Sequence, residues 1–151
     1  MADMNDRDLL LHALQRPQAY PHAVSTIEHL ETHISDVLLT GEYAYKLKKP
    51  LDLGFLDFSN LERRRACCEE ELRLNRRLAP ELYLAVVPIG GSPSDPRVGV
   101  AEPIIDYAVQ MRQFDQAGML ERMAGRGELT ASIIDAIADQ IAEFHSGLPP
   151  A

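Results

Sequence analysis

Apolar and polar positions change period several times along the chain, and each change marks an expected element. The stretch NDRDLLLHALQ, residues 5–15, predicts a short helix capped by Asn5 or Asp6 and stopped by Pro17. RPQAYPHA then reads as a rigid connector. From Val24 to about Lys49 the period falls towards two: STIEHLETH, a turn, DVLLT, a turn at Gly41 and YAYKLKK predict an antiparallel meander. PLDLGFLDF is a loop holding several apolar residues. Ser59 and Glu62 match a capping box that opens the helix NLERRRACCEEELRLNRRLA, ended by Pro80. LYLAVVPI predicts a buried strand, GGSPSDPR a turn-rich loop, and IIDYAVQMRQF a further strand after VGVAEP. Two helices follow, the second from Thr130 with Ile134, Ile137, Ala138, Ile141 and His145 along one stripe. The order predicts an α+β fold, a twisted antiparallel sheet with one long helix packed across it and additional C-terminal helices.

Composition narrows the function classes. With 46% hydrophobic and 25% charged residues in 151, the chain is of ordinary globular make-up and holds enough apolar residues for one domain with a real core. Its 15 basic against 23 acidic residues give a formal net charge of -8, which argues against nucleic acid as a partner, because that needs a basic face. No apolar run is long enough to span a bilayer, and MADMNDRDLL has neither the basic nor the apolar region of a signal peptide, so no membrane partner and a cytoplasmic location are expected. Cys67 and Cys68 are adjacent in a helical pattern, where neighbouring side chains diverge by about 100°, so no structural disulfide is expected. His29 and His33 in HLETH lie on a strand-like stretch, where residues four apart are about 13 Å apart, too far to share a tetrahedral ion. No metal site is expected.

The charge pattern singles out one place. On the third strand, alternation puts Ala44, Lys46 and Lys48 on one face and Tyr43, Tyr45, Leu47 and Lys49 on the other. Winding the long helix at about 100° per residue makes Leu61, Cys68, Leu72, Asn75, Leu78 and Ala79 one stripe, with Glu71 inside it and Glu69 and Glu70 towards solvent. A glutamate on an apolar face needs a partner, which makes Lys46 and Glu71 a natural ion pair. Protein-kinase-like folds hold a nucleotide phosphate with such a strand lysine and helix glutamate. Small Ala44 would leave room for a flat ring above the sheet. Lysines on a solvated face beside an acidic helix run are nevertheless the commoner arrangement, and spacing alone does not decide between the two.

The words ETHISDVLLTGEYAYKLKKPLDLGFLDFSNLERRRACCEEELRLNRRLAPELYLAVVPI, and the run from the first helix to IAEFH, closely resemble the N-terminal region of a bacterial family of aminoglycoside phosphotransferase-like kinases, often fused to a C-terminal P-loop ATP-binding domain. The resemblance implies a kinase-like N-lobe across residues 1–151, with 117–147 the helical start of an incomplete C-lobe. It implies ATP and magnesium as cofactors and an unknown small-molecule acceptor. Lys46 would contact phosphate and Glu71 position it, while Gln110, Met111 and Arg112 would lead into a hinge that meets an adenine edge. The turn THIS lacks the glycine usual in phosphate-covering loops, so Ser35 and nearby amides would serve instead. No His-Gly-Asp type catalytic loop occurs up to Ala151, so no catalytic residue and no magnesium ligand is named. The chain then reads as part of a larger protein, inactive alone, whose C-terminal helix self-associates. A rival from another class is a non-catalytic protein-interaction domain of kinase-like fold that docks through DLGFLDF.

Overall fold

Asn5 starts the first helix as its position requires, its side chain accepting the Asp8 N–H at 2.9 Å. Helix α1 (Asp6–Ala13) buries Leu10 and Ala13, and Leu14 follows them into the core. The computed structural model describes residues 5–150, which divide into two compact units, the first ending at Gln113 and the second beginning at Phe114. The segment expected to be a connector proves to be part of the core. A 3₁₀ turn over Pro17–Ala19 drops Ala19 and Tyr20 among buried residues, and the Tyr20 hydroxyl donates to the Leu14 carbonyl at 2.7 Å.

Six strands form one antiparallel sheet: β1 (Glu28–Glu31), β2 (Ser35–Leu39), β3 (Tyr43–Lys48), β4 (Tyr83–Ser92), β5 (Asp95–Val98) and β6 (Ile104–Arg112), in the order β1-β2-β3-β6-β4-β5. The meander lies where alternation placed it. GGSPSDPR differs: rather than a loop, it ends β4 and forms β5, with Gly91 facing Pro96 across a hairpin. Gly91 has φ +91°, and a Cβ there would lie 2.4 Å from the Asp95 carbonyl oxygen, so only glycine lets the two strands approach. The core cluster lies on one side of the sheet, where Leu10, Leu14, Ala19 and Tyr20 meet Leu38, Tyr45, Leu47, Ile89 and Ala108.

Helix α2 (Leu61–Asn75) packs against β6 and β4. Its cap is Asn60, which accepts the Arg63 N–H at 2.9 Å, and not Ser59, whose N–H donates to Asp57 in the preceding turn. It ends before Pro80, so Leu78 lies beyond it and is exposed. Cys67 and Cys68 are free thiols, and burial pushes the Cys68 thiol up to about 12. In the second unit a 3₁₀ turn (Gln116–Gly118) precedes α3 (Leu120–Gly125) and α4 (Ala131–Ser146), the latter capped by Thr130 as expected. Ile137 is half-buried, Ile134 and Ile141 are exposed, and His145, at the end of the same stripe, is exposed beside the Phe144 ring. Among the described residues no helix is long and apolar enough to cross a membrane.

Candidate functional site

β3 divides its side chains between two environments. Tyr45 and Leu47 enter the core, while Ala44, Lys46 and Lys48 take the other face. Register fills out that second face. Ala44 lies across from Leu39 and Met111, Lys46 from Val37 and Val109, and Lys48 from Ser35. An apolar floor of Val37, Leu39, Ala44, Val109 and Met111 thus surrounds the root of Lys46.

Glu71 reaches this floor from α2. The Lys46 Nζ donates to Glu71 Oε1 at 2.8 Å, and the Lys48 Nζ donates to Glu71 Oε2. Glu69 and Glu70 point outward and pair with Arg65 and Arg73, as the winding of the helix requires. The three charges differ in access to water: the Lys46 side chain is 27% exposed, Glu71 12% and Lys48 6%. Lys48 also sits 5.5 Å from the centroid of the Phe58 ring, a cation–π contact. Burial pushes the Glu71 carboxyl up, but the hydrogen bonds and charges of Lys46 and Lys48 outweigh it and hold the group below its ordinary value. Burial, with the Glu71 charge adding to it and Lys48 opposing, raises the nearby Tyr83 hydroxyl.

A depressed carboxyl stabilises the fold only where it is ionised. Glu71 therefore contributes fully above the unfolded-state value of about 4.3, and the contribution disappears as pH falls through the lower folded value. In urea titrations across a pH series, the native chain is expected to be more stable than Glu71→Gln at neutral pH, with the gap closing below about pH 4. A gap independent of pH would show that Glu71 is not held as an anion by the lysines.

The other expected nucleotide contacts are placed differently from one another. Ser35 is fully buried. Its N–H donates to Thr32 Oγ1 at 3.0 Å, and its own hydroxyl has no hydrogen-bond partner among the described residues. The Gln110 side chain donates to the Tyr45 hydroxyl at 3.2 Å, on the face away from Lys46. Met111 shares the lysine face, but its backbone lies within the ladder between Ala44 and Tyr83. Arg112 is exposed at the strand end, its N–H donating to the Leu82 carbonyl at 2.8 Å. Lys46, Glu71 and Ala44 are thus brought together with Met111, while Gln110 and Arg112 stand apart.

Two features escaped the sequence pattern. One is that Lys48 shares Glu71, although its parity with Lys46 on β3 already signalled it. The other is a buried charge network on the core side. Asp106 accepts from Arg7 at 2.8 Å and from Arg64 at 2.9 Å, and Arg7 also donates to Asp36 at 2.6 Å. His29 Nε2 lies 3.0 Å from the other Asp36 oxygen. A lone aspartate in the apolar run IIDYAV was the available signal. A cavity of about 400 Å³ opens beside Arg7, Arg64 and Asp106.

No family model matches the sequence, and no solved structure matches it. Proteins of Mycobacterium bovis and of two strains of Mycobacterium tuberculosis, each described as uncharacterized, are 39% identical to it over 119 residues. The aligned region is 79% of this chain and 22% of each relative, so the chain spans about a fifth of the length of the curated relatives it matches.

Proposed function

We propose that the chain is the nucleotide-binding N-terminal portion of an aminoglycoside phosphotransferase-like kinase acting on a small-molecule acceptor, with a kinase-like N-lobe built from its sheet and α2. The observation that carries this reading is the Lys46–Glu71 pair, 2.8 Å long, set between β3 and α2 above a floor that includes Ala44. Lys46 keeps enough exposure to donate to phosphate oxygens, and Glu71 fixes where its ammonium points. Val37, Leu39, Ala44 and Met111 offer an apolar bed for a flat base beside it. Phosphoryl transfer depends on positioning and on stabilising charge spread over the transferred group, and one aligned lysine supplies part of both.

ATP fits these residues and magnesium does not. Around Lys46 the carboxylate at hand is Glu71, whose two oxygens are taken by two ammonium groups. Among the described residues no group of three or more His, Cys, Asp or Glu side chains could hold a metal ion. No step through a metal is assigned to this chain, and it is expected not to transfer phosphate from ATP by itself.

Isothermal titration of ATP into the native chain and into Lys46→Met tests the reading. Loss of a hydrogen-bonded charge is worth about 1.5–3 kcal/mol, so affinity should fall about 10- to 150-fold. Equal affinities would remove the reading. They would leave the rival of a non-catalytic protein-interaction domain, which Phe55 favours, since its side chain stands 88% exposed at the tip of DLGFLDF with Leu53 nearby at 47%.

A further inference from the structure

The cavity of about 400 Å³ is separate from the lysine site, since neither Lys46, Lys48 nor Glu71 lines it. We propose that it is a second binding site, for an uncharged small molecule that has an apolar body and a hydrogen-bond acceptor, such as a carboxamide, held by the Arg7 Nε–H. The proposal does not depend on the reading of Lys46 as a phosphate contact.

Separate parts of the chain meet around this space. Helix α1 brings Arg7 and Leu10, α2 brings Arg64, β6 brings Ile105 and Asp106, and the turn between β4 and β5 brings Pro93. Small-molecule sites have volumes of about 300–1,000 Å³ and combine apolar walls with a few fixed polar groups. Leu10, Pro93 and Ile105 supply the walls. The polar groups are held before any ligand arrives: Arg7 donates to Asp36 at 2.6 Å and to Asp106 at 2.8 Å, and Arg64 donates to Asp106 at 2.9 Å and to the Phe58 carbonyl at 3.2 Å. Binding to groups already in place needs little further ordering. While both Nη atoms of Arg7 are engaged, its Nε is buried and has no hydrogen-bond partner among the described residues. A buried donor left without an acceptor is unfavourable, and a ligand oxygen would relieve it.

Charge balance sets the class of ligand. With His29 neutral, Arg7 and Arg64 are matched by Asp36 and Asp106. A carboxylate or phosphate in the cavity would therefore find no uncompensated guanidinium, and would also face Asp6, an exposed acid that lines it. A cation would have to compete with Arg7 and Arg64 for Asp106, or settle for Asp6, where water screens the attraction. A neutral acceptor on an apolar body disturbs neither balance.

Cyclohexanecarboxamide, cyclohexanecarboxylate and cyclohexylmethylamine carry the same apolar ring and differ in charge at neutral pH, so they test the proposal as a matched set. Each is titrated into the isotopically labelled native chain, and NMR follows the Arg7 Nε–H signal and the methyl signals of Leu10 and Ile105. The amide is expected to shift all of these signals and to bind about tenfold more tightly than either charged analogue. Arg7→Lys keeps the positive charge but lacks the Nε–H, and should weaken amide binding about tenfold. Pro93→Trp fills the cavity from a turn and should abolish the shifts. Should either variant fail to fold, the comparison of the three probes on the native chain decides alone. The proposal is overturned if the amide leaves the Leu10 and Ile105 methyls unmoved, if the three probes bind equally, or if the carboxylate or the amine binds most tightly. Undiminished amide binding in folded Arg7→Lys or folded Pro93→Trp would overturn it as well.

Discussion

Replacing Asp106 by alanine is expected to cost the fold about 3–5 kcal/mol, the range seen when one partner of a buried ion pair is removed. Asp106 is 2% exposed and accepts from Arg7, from Arg64 and from the Tyr107 N–H. Without it Arg7 still has Asp36, but among the described residues Arg64 keeps the Phe58 carbonyl, at 3.2 Å, for its charge. Much of the cost is therefore an uncompensated buried guanidinium and not the lost pair as such. Because Arg7 belongs to α1, Arg64 to α2 and Asp106 to β6, the loss also loosens the attachment of both helices to the sheet. For a chain whose whole stability is about 5–15 kcal/mol, this should be visible as a large fall in the urea midpoint. A change below about 1 kcal/mol, the value of an exposed pair, would show that water already solvates the network.

Leu14→Ala is expected to destabilise by about 2–5 kcal/mol, through lost burial and the cavity left behind. Leu14 is fully buried in the cluster with Leu10, Tyr20, Leu38 and Tyr45, and its carbonyl receives the Tyr20 hydroxyl. The size of the effect measures how far the N-terminal segment is part of the sheet's core. Thermal and urea unfolding of Leu14→Ala beside Phe55→Ala make the comparison, the latter truncating an 88% exposed ring and expected to stay within about 0.5 kcal/mol of native. Similar small values for both would mean that residues up to Tyr20 come off the sheet before the rest unfolds.

What the sequence made legible was whatever depends on local period. Alternation separated Lys46 from Tyr45 and Leu47, and winding at about 100° per residue selected Glu71 over Glu69 and Glu70, because both rules follow from backbone geometry alone. The Lys46–Glu71 contact needed one step more, that α2 lies on the lysine face of the sheet, and the cost of an unpaired glutamate supplied it. Features set by distant chain were not legible in this way. Pro17 to Tyr20 have the composition of a linker, and only the presence of Leu38 and Tyr45 across the space turns Ala19 and Tyr20 into core. Gly90 and Gly91 signal a turn in most settings, but here they let β4 come close to its neighbours, since a Cβ on Gly91 would lie 2.4 Å from the Asp95 carbonyl oxygen in β5 and one on Gly90 2.5 Å from the Val100 carbonyl oxygen just after it. Ser59 and Asn60 are both good caps; Asn60 takes the role, accepting the Arg63 N–H, while Ser59 stays in the turn where its N–H donates to Asp57. Arg7, Asp36, Arg64 and Asp106 meet over separations of up to 99 positions, which no periodicity encodes.

β3 serves the core and the charge site with the same six residues, Tyr43–Lys48, and this makes its length a heritable constraint. A one-residue insertion or deletion between Gly41 and Lys46 would exchange the two sets of side chains, turning lysines into the tyrosine-lined interior and tyrosines out over Glu71. A two-residue change would restore the faces but carry Lys46 along the strand by about 7 Å, out of reach of a carboxylate that now sits 2.8 Å away. Descent can thus vary the residue types on either face one at a time, but it cannot alter the count. The Pro93–Ser94 turn between β4 and β5 lies outside β3, and a change of length there leaves the two faces of β3 as they are.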